Sequence, residues 1–334
     1  NQEMENNRNN KEEPKIKREQ SKETIDPESM FQYAEQIMRG EVADSNKKDA
    51  SRYYKLSADQ GHVESMFKYA NMLFSGDGIE INKKEASHYY KLAADQGVTN
   101  AMYNYALMVD KGEDIEVNKK EAAHYYKLAA DQGDVDSMIN YGIMSSEGEG
   151  IEKNKSEAAH YYKLAADQGE PKAMLYYANM LSIGDGIEKN KKEAAHYYKL
   201  AADQGVPTAM FNYALMVDKG EWIEINKREA AHYYKLAADQ GEPKAMLYYA
   251  NMLSIGDGIE ENKREAARYY RLLSDQGNIE AMIRYAEMLD EGDGIDESKE
   301  EASKYYKLAA DNGSVKAIFK YAEMISKGEV VEII

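Results

Sequence analysis

Asn118-Lys119-Lys120-Glu121-Ala122-Ala123-His124-Tyr125-Tyr126-Lys127-Leu128-Ala129-Ala130-Asp131-Gln132-Gly133 reads as one short helix with its start and stop signals attached. Asn118 and Glu121 have capping-box spacing, with Asn as N-cap and Glu at N3. Gly133 supplies a left-handed C-cap. What decides the fold is recurrence. The tyrosine pair returns at Tyr53-Tyr54, Tyr89-Tyr90, Tyr161-Tyr162, Tyr197-Tyr198, Tyr233-Tyr234, Tyr269-Tyr270 and Tyr305-Tyr306, always in steps of 36 residues and without insertion. The closing glycine keeps the same step from Gly61 to Gly313. The Asn/Glu box recurs at Asn82/Glu85, Asn154/Glu157, Asn190/Glu193, Asn226/Glu229 and Asn262/Glu265, with variants at Asn46/Asp49 and Ser298/Glu301.

Upstream of each such helix B lies a second helical pattern, helix A. In Ala101-Met102-Tyr103-Asn104-Tyr105-Ala106-Leu107-Met108-Val109, residues Met102, Tyr105, Ala106 and Val109 share one face, and Gly112 ends the run. Links of a few residues make neighbouring helices antiparallel. One hairpin cannot bury its apolar face alone, so the units must stack. The expected fold is all-α: an α/α solenoid of 36-residue helix-turn-helix repeats. We place the repeats at 26–61, 62–97, 98–133, 134–169, 170–205, 206–241, 242–277 and 278–313, with a half repeat and capping helix at 314–334. Residues 1–25 are Asn-, Glu- and Lys-rich without apolar periodicity and read as a disordered polar segment. A length of 334 residues suggests two ordinary domains, but repeat arrays grow linearly and escape that rule.

Composition excludes several functions. There is no cysteine, which removes disulfides, thiolate metal sites and cysteine nucleophiles. The net charge is −17, so nucleic acid is not an expected partner. No apolar run reaches the ~20 residues a membrane span needs, and no signal peptide is visible. A cytoplasmic setting is the expectation. Of 28 tyrosines, all but Tyr103, Tyr176 and Tyr248 fall in three fixed columns, which marks them as core.

The stretch Ala-Met-x-x-Tyr-Ala-x-Met-x-x-x-Gly-Asp-Gly-Ile, followed by Asn-Lys-Lys-Glu-Ala-Ala-x-Tyr-Tyr-Lys-Leu-Ala-Ala-Asp-Gln-Gly, resembles the Sel-one-like repeat family, a relative of the tetratricopeptide repeats. Tyr stands where that family often carries Trp or Phe. The resemblance implies a right-handed superhelix with helices A on the concave side. It also implies an adaptor or scaffold role in quality control, signalling or host–microbe contact. A cysteine-rich subgroup is associated with β-lactamase-like activity, and this cysteine-free chain does not match it.

No catalytic, metal or cofactor site is expected. The Gly76-Asp77-Gly78-Ile79 motif follows a helix rather than a strand, so it reads as a turn and not a phosphate loop. His88, His124, His160, His196 and His232 form one column, and the units without His carry Arg52, Arg268 or Lys304 there, which suggests a solvent-facing stripe. The informative positions are the variable ones on the far side of helix A. Tyr103, Asn104, Leu107, Asn140, Ile143, Tyr176, Asn179, Ile183, Asn212, Leu215, Tyr248, Asn251, Ile255 and Arg284 make a candidate peptide groove, because aromatic and Arg side chains dominate binding hot spots. The opposing explanation is packing between adjacent helices A. Trp222 replaces the turn glycine of Gly78, Gly150, Gly186, Gly258 and Gly294, and is a candidate surface contact. Because Trp222, Asp114 and Val42 occupy that position, the turn is expected not to need positive φ. The leading expectation is a non-enzymatic scaffold binding a partner peptide or helix, with a basic patch on the partner favoured by the net charge. The alternative is a regulatory repeat module of a larger signalling enzyme, for example a kinase.

Overall fold

The computed structural model describes residues 25–112 and 114–329. Most of the polar segment read at 1–25, and the apolar end at 330–334, lie outside the described residues. Among the described residues there are 17 helices and no strand. They fall into two compact units, one up to Tyr161 and one from Tyr162. The first contains α1 (Pro27–Met38), α2 (Lys47–Asp59), α3 (Val63–Ser75), α4 (Lys83–Asp95), α5 (Thr99–Lys111), α6 (Lys119–Asp131) and α7 (Val135–Glu147). The division falls inside α8 (Lys155–Asp167). The second contains α9 (Pro171–Ile183), α10 (Lys191–Asp203), α11 (Pro207–Lys219), α12 (Lys227–Asp239), α13 (Pro243–Ile255), α14 (Lys263–Asp275), α15 (Ile279–Glu291), α16 (Lys299–Asp311) and α17 (Val315–Ser326). Odd numbers are helices A and even numbers helices B, an all-α solenoid of hairpins.

Helix B starts where the asparagine predicts. The Asn118 side chain accepts from the Glu121 backbone N–H at 3.0 Å. Among the described residues the reciprocal half of the box forms at Asn46, whose N–H donates to Asp49 at 3.0 Å. Elsewhere the N-cap N–H already has a partner nine residues back: Asn118 N–H donates to the Val109 carbonyl at 2.8 Å. The Glu121 carboxylate is freed to take Asn118 Nδ2 at 3.2 Å and the Lys91 ammonium at 2.6 Å. Helix B stops in a Schellman motif: Gly133, at φ 98°, donates to the Ala130 carbonyl, and Asp134 donates to Ala129.

The core is made of thin and thick columns. Ala122, Ala129, Ala106 and their equivalents up to α16 are wholly buried, so helices approach closely there. Between them the first tyrosine of each pair meets the helix-A tyrosine edge to face, as in Tyr105–Tyr125 at 5.0 Å and 87°. The hydroxyls explain why these are not phenylalanines. Tyr161 donates to Asp131 at 2.5 Å and Tyr197 to Asp167 at 2.9 Å, each reaching back 30 residues to the preceding helix B. Lys127 donates to the Tyr161 hydroxyl at 2.7 Å and lies 5.3 Å from the Tyr141 ring centre. Burial pushes the pKa of this column up, and the aspartate bond adds to it at Tyr161.

The second tyrosine of each pair points toward helix A and, except in Tyr161–Tyr162, is more deeply buried. Tyr54 donates to Glu35 at 2.5 Å, Tyr90 to Asn71 at 2.6 Å, Tyr198 to Asn179 at 2.7 Å and Tyr270 to Asn251 at 2.6 Å. In the repeats where that helix-A position is Leu107 or Leu215, the Tyr126 and Tyr234 hydroxyls are buried without a hydrogen-bond partner among the described residues. Tyr270→Phe is therefore expected to cost about 1 kcal/mol, since it strands the Asn251 amide oxygen, while Tyr234→Phe is expected to be neutral or stabilising. Urea unfolding of the two variants checks this. Equal losses at both positions would contradict it.

The turn between helices A and B corrects the sequence reading. Gly258 sits at φ 77°, but Asp114 (φ 59°) and Trp222 (φ 67°) occupy the same left-handed region. The turn keeps its positive φ and makes these two L-residues bear it. Among the described residues the first repeat differs, where the left-handed residue is Asp44 and not Val42.

Candidate partner-binding face

The residues singled out on helix A occupy three kinds of environment. In the first unit, the Tyr103 ring lies 6.1 Å from that of Tyr126, and the same column is filled by buried Ile139. Asn104, Leu107, Asn140 and Ile143 are half-buried. The 103 column is thus packing between helices, the opposing explanation offered above. In the second unit, Tyr176 lies 5.1 Å from Tyr162, and Tyr248 lies 5.3 Å from Tyr234 and 5.5 Å from Phe211. One face of each ring is covered and the residue remains half-exposed.

Asn179 and Asn251 take the hydroxyls of Tyr198 and Tyr270, and Asn212 Nδ2 reaches Asn179 Oδ1 at 3.5 Å. Leu215 is half-buried. Ile183 and Ile255, at the C-terminal ends of α9 and α13, are 70% and 71% exposed. Arg284 is exposed, 3.8 Å from Glu287, which is itself taken by Lys316 at 2.7 Å. The second unit therefore brings Tyr176, Asn179, Asn212, Tyr248 and Asn251 onto one face of adjacent helices A. Trp222 is elsewhere: 73% exposed on the A–B turn, beside Glu221, whose carboxylate binds Lys191.

Two side chains on this face escaped the sequence reading. Lys172 and Lys244 stand four residues before Tyr176 and Tyr248, both exposed, and the Lys172 ammonium lies 5.8 Å from the Tyr176 ring centre. A charge count taken helix by helix would have found them.

The opposite, helix-B side is largely paired within itself. An open depression of about 620 Å³ there is walled by Lys91, Glu121, His124, Tyr125 and Lys127. Lys91 is bound to Glu121, and Lys127 stands 3.5 Å from Glu157. The histidine column is solvent-exposed, and each ring meets its neighbouring tyrosine edge-on, as His124 does Tyr125 at 5.1 Å. Among the described residues no three His, Cys, Asp or Glu side chains gather as a metal set, and no helix is long and apolar enough to cross a membrane.

The Sel1 repeat family model matches eight consecutive segments: 27–62, 63–98, 99–134, 135–170, 171–206, 207–242, 243–278 and 279–314. The chain belongs to the Sel1 repeat family. Its repeats are similar in structure to c5321, a protective antigen of uropathogenic Escherichia coli displaying an SLR fold, with a TM-score of 0.80 and 23% identity over 90% of this chain. This chain spans 65% of that antigen's length. They are also similar to a Sel1 repeat protein from Oxalobacter formigenes, with a TM-score of 0.68 and 24% identity, covering 89% of this chain and 86% of that one. No curated protein matches. Sel1 repeats generally mediate protein–protein interaction and are generally non-catalytic.

Proposed function

We propose that this Sel1 array is a non-catalytic interaction scaffold that holds an extended peptide or a helix of a protein partner on its helix-A face. One observation carries the reading. The helix-B side spends most of its Lys, Tyr, Asp and Glu groups on one another, whereas the helix-A side of the second unit leaves Tyr176 and Tyr248 half-open beside exposed Ile183 and Ile255. Aromatic rings anchored on one face and open on the other lose little conformational entropy on binding. Trp222 gives a second contact on the turn edge. That edge also carries Asp185, Glu188, Glu221, Glu224, Asp257 and Glu260, so a basic patch on the partner would meet it there and not on helix A.

The test uses the wild-type chain and a Tyr176→Ala/Tyr248→Ala variant as bait in lysate of the source cells. Helical content and the urea midpoint of the two baits are compared first. At about 2 kcal/mol per anchor ring, capture of the partner is expected to fall by well over tenfold. Identical capture by an equally folded variant would remove the helix-A face from the mechanism.

A further inference from the structure

In a chain of net charge −17, the helices A are not equally acidic. α1 carries Glu28 and Glu35, α3 Glu64, and α7 Asp136 and Glu147. The identical sequences of α9 and α13, Pro-Lys-Ala-Met-Leu-Tyr-Tyr-Ala-Asn-Met-Leu-Ser-Ile, contain one lysine and no carboxylate. Between them α11 adds Lys219 and a single Asp218, which is neutralised by Lys227 at 2.6 Å. Most helix-B lysines are committed, as Lys199 is to Glu229 and Tyr233. Lys172 and Lys244 are exposed and carry no ion pair among the described residues.

The neighbouring amides have the same polarity. The Asn179 and Asn251 oxygens already accept the Tyr198 and Tyr270 hydroxyls. Asn179 Oδ1 also takes Asn212 Nδ2, and both amides keep the Nδ2–H donor end. Each site thus combines an ammonium, a half-open tyrosine ring and an amide donor, next to the Glu170 or Glu242 N-cap two residues before the lysine. Ring contact between Phe211 and Tyr248, and the Asn212–Asn179 approach, make α9, α11 and α13 direct neighbours.

We propose that the helix-A face of α9, α11 and α13 binds an acidic, extended peptide segment, with its carboxylates at Lys172 and Lys244 and its backbone carbonyls on the Asn179 and Asn251 amides. The proposal rests on the helix-A face being the docking surface, and gives that surface a ligand class. It reverses the polarity suggested by the net charge. The two equivalent sites are two helix spacings apart, roughly 16–20 Å, which an extended chain crosses in about six residues. The acidic residues of the ligand are accordingly about six apart.

Fluorescence anisotropy with the full chain tests this, using labelled twelve-residue Glu/Ser and Lys/Ser peptides and a single-stranded thymidine oligonucleotide of matched charge. The Glu/Ser peptide is expected to bind, to weaken with added salt, and to weaken roughly tenfold or more on Lys172→Glu/Lys244→Glu. Both lysines are exposed, so the variant keeps its fold, and Lys172→Gln/Lys244→Gln gives an intermediate loss. Lys84→Glu, on an exposed helix-B position, leaves binding unchanged. Absence of Glu/Ser binding, preference for the Lys/Ser peptide or the oligonucleotide, or binding insensitive to the lysine pair each overturns the proposal. If the Tyr176→Ala/Tyr248→Ala bait still loses its partner in that event, the docking face stands and only its ligand class is wrong. If that bait keeps its partner, the face itself is wrong.

Discussion

As pH rises past the ordinary tyrosine pKa of about 10, this protein is expected to unfold cooperatively, with tyrosinate absorbance and loss of helix arriving together. Burial, reinforced in most cases by a carboxylate partner, holds the core hydroxyls neutral. Burial pushes Tyr90 up to about 12. Burial first and the Glu121 hydrogen bond second do the same for Tyr105, and burial with Glu229 for Tyr213, each to about 12. Burial and then the Glu157 and Glu85 charges take Tyr141 and Tyr69 to about 12 as well. Tyr126 and Tyr234 are pushed up further still, mainly by burial.

The sign follows from linkage. A group whose folded pKa is raised contributes stability that is complete below its unfolded pKa and is lost as pH climbs through the folded one. For Tyr90, 2% exposed, that loss is on the order of 2 kcal/mol by the upper end of the window. The helix-B lysines add to it with the same sign. Burial opposes the charge of Lys91, but its hydrogen bonds to Glu121 and Tyr125 outweigh burial and raise its pKa. These contributions recur along the array and all act against a stability that is ordinarily ~5–15 kcal/mol for a domain. Near-ultraviolet absorbance and circular dichroism, followed together from pH 9 upward, check the expectation. Tyrosinates appearing near their ordinary pKa with helical signal intact would mean the hydroxyls are not held as described.

The repeat frame was legible because its signals are local. The Asn118 cap, the Gly133 stop and the face of Met102, Tyr105, Ala106 and Val109 each depend on neighbours within a few residues. What was not legible depends on partners 19 to 34 residues away. The Tyr161 hydroxyl finds Asp131 across a repeat boundary, and only the persistence of Tyr where Phe would pack equally well hints at it. The capping box looked reciprocal, yet a carbonyl of the preceding helix A took the donor that its second half needed.

On the candidate face, the sequence offers Tyr176 and Tyr248 either as groove residues or as packing between helices A, and the structure lays one side of each on a buried tyrosine. The charge of that face was hidden by averaging: a chain-wide −17 says nothing about three helices that hold their only carboxylate in an ion pair. The turn was misread for a related reason. Trp222 and Asp114 at a glycine position argued that the backbone there was ordinary, when they instead tolerate the left-handed conformation.

That turn supplies the second large effect: Gly258→Val is expected to cost about 3–4 kcal/mol. Two constraints act at once. At φ +77° a β-branched residue is a steric outlier, where even alanine loses about 1–2 kcal/mol. A Cβ would also stand 2.4 Å from Lys227 Cβ, 2.7 Å from its carbonyl carbon and 2.8 Å from its oxygen, so the first turn of α12 would have to move. The contact runs from one repeat to the previous one, and in an array stabilised by neighbour interfaces such a displacement weakens both.

The sister turn gives the converse. Trp222 holds φ 67° with its ring 73% exposed, so Trp222→Gly relieves the backbone while giving up little buried surface, a gain of about 1 kcal/mol. Urea unfolding of the two variants against the parent measures both. If Gly258→Val were harmless, the Lys227 contact would have to be soft. If Trp222→Gly were destabilising, the indole would be making contacts worth more than the strain its backbone carries. Opposite signs at two equivalent turns are what the shared left-handed geometry requires, because glycine is the residue that both positions suit.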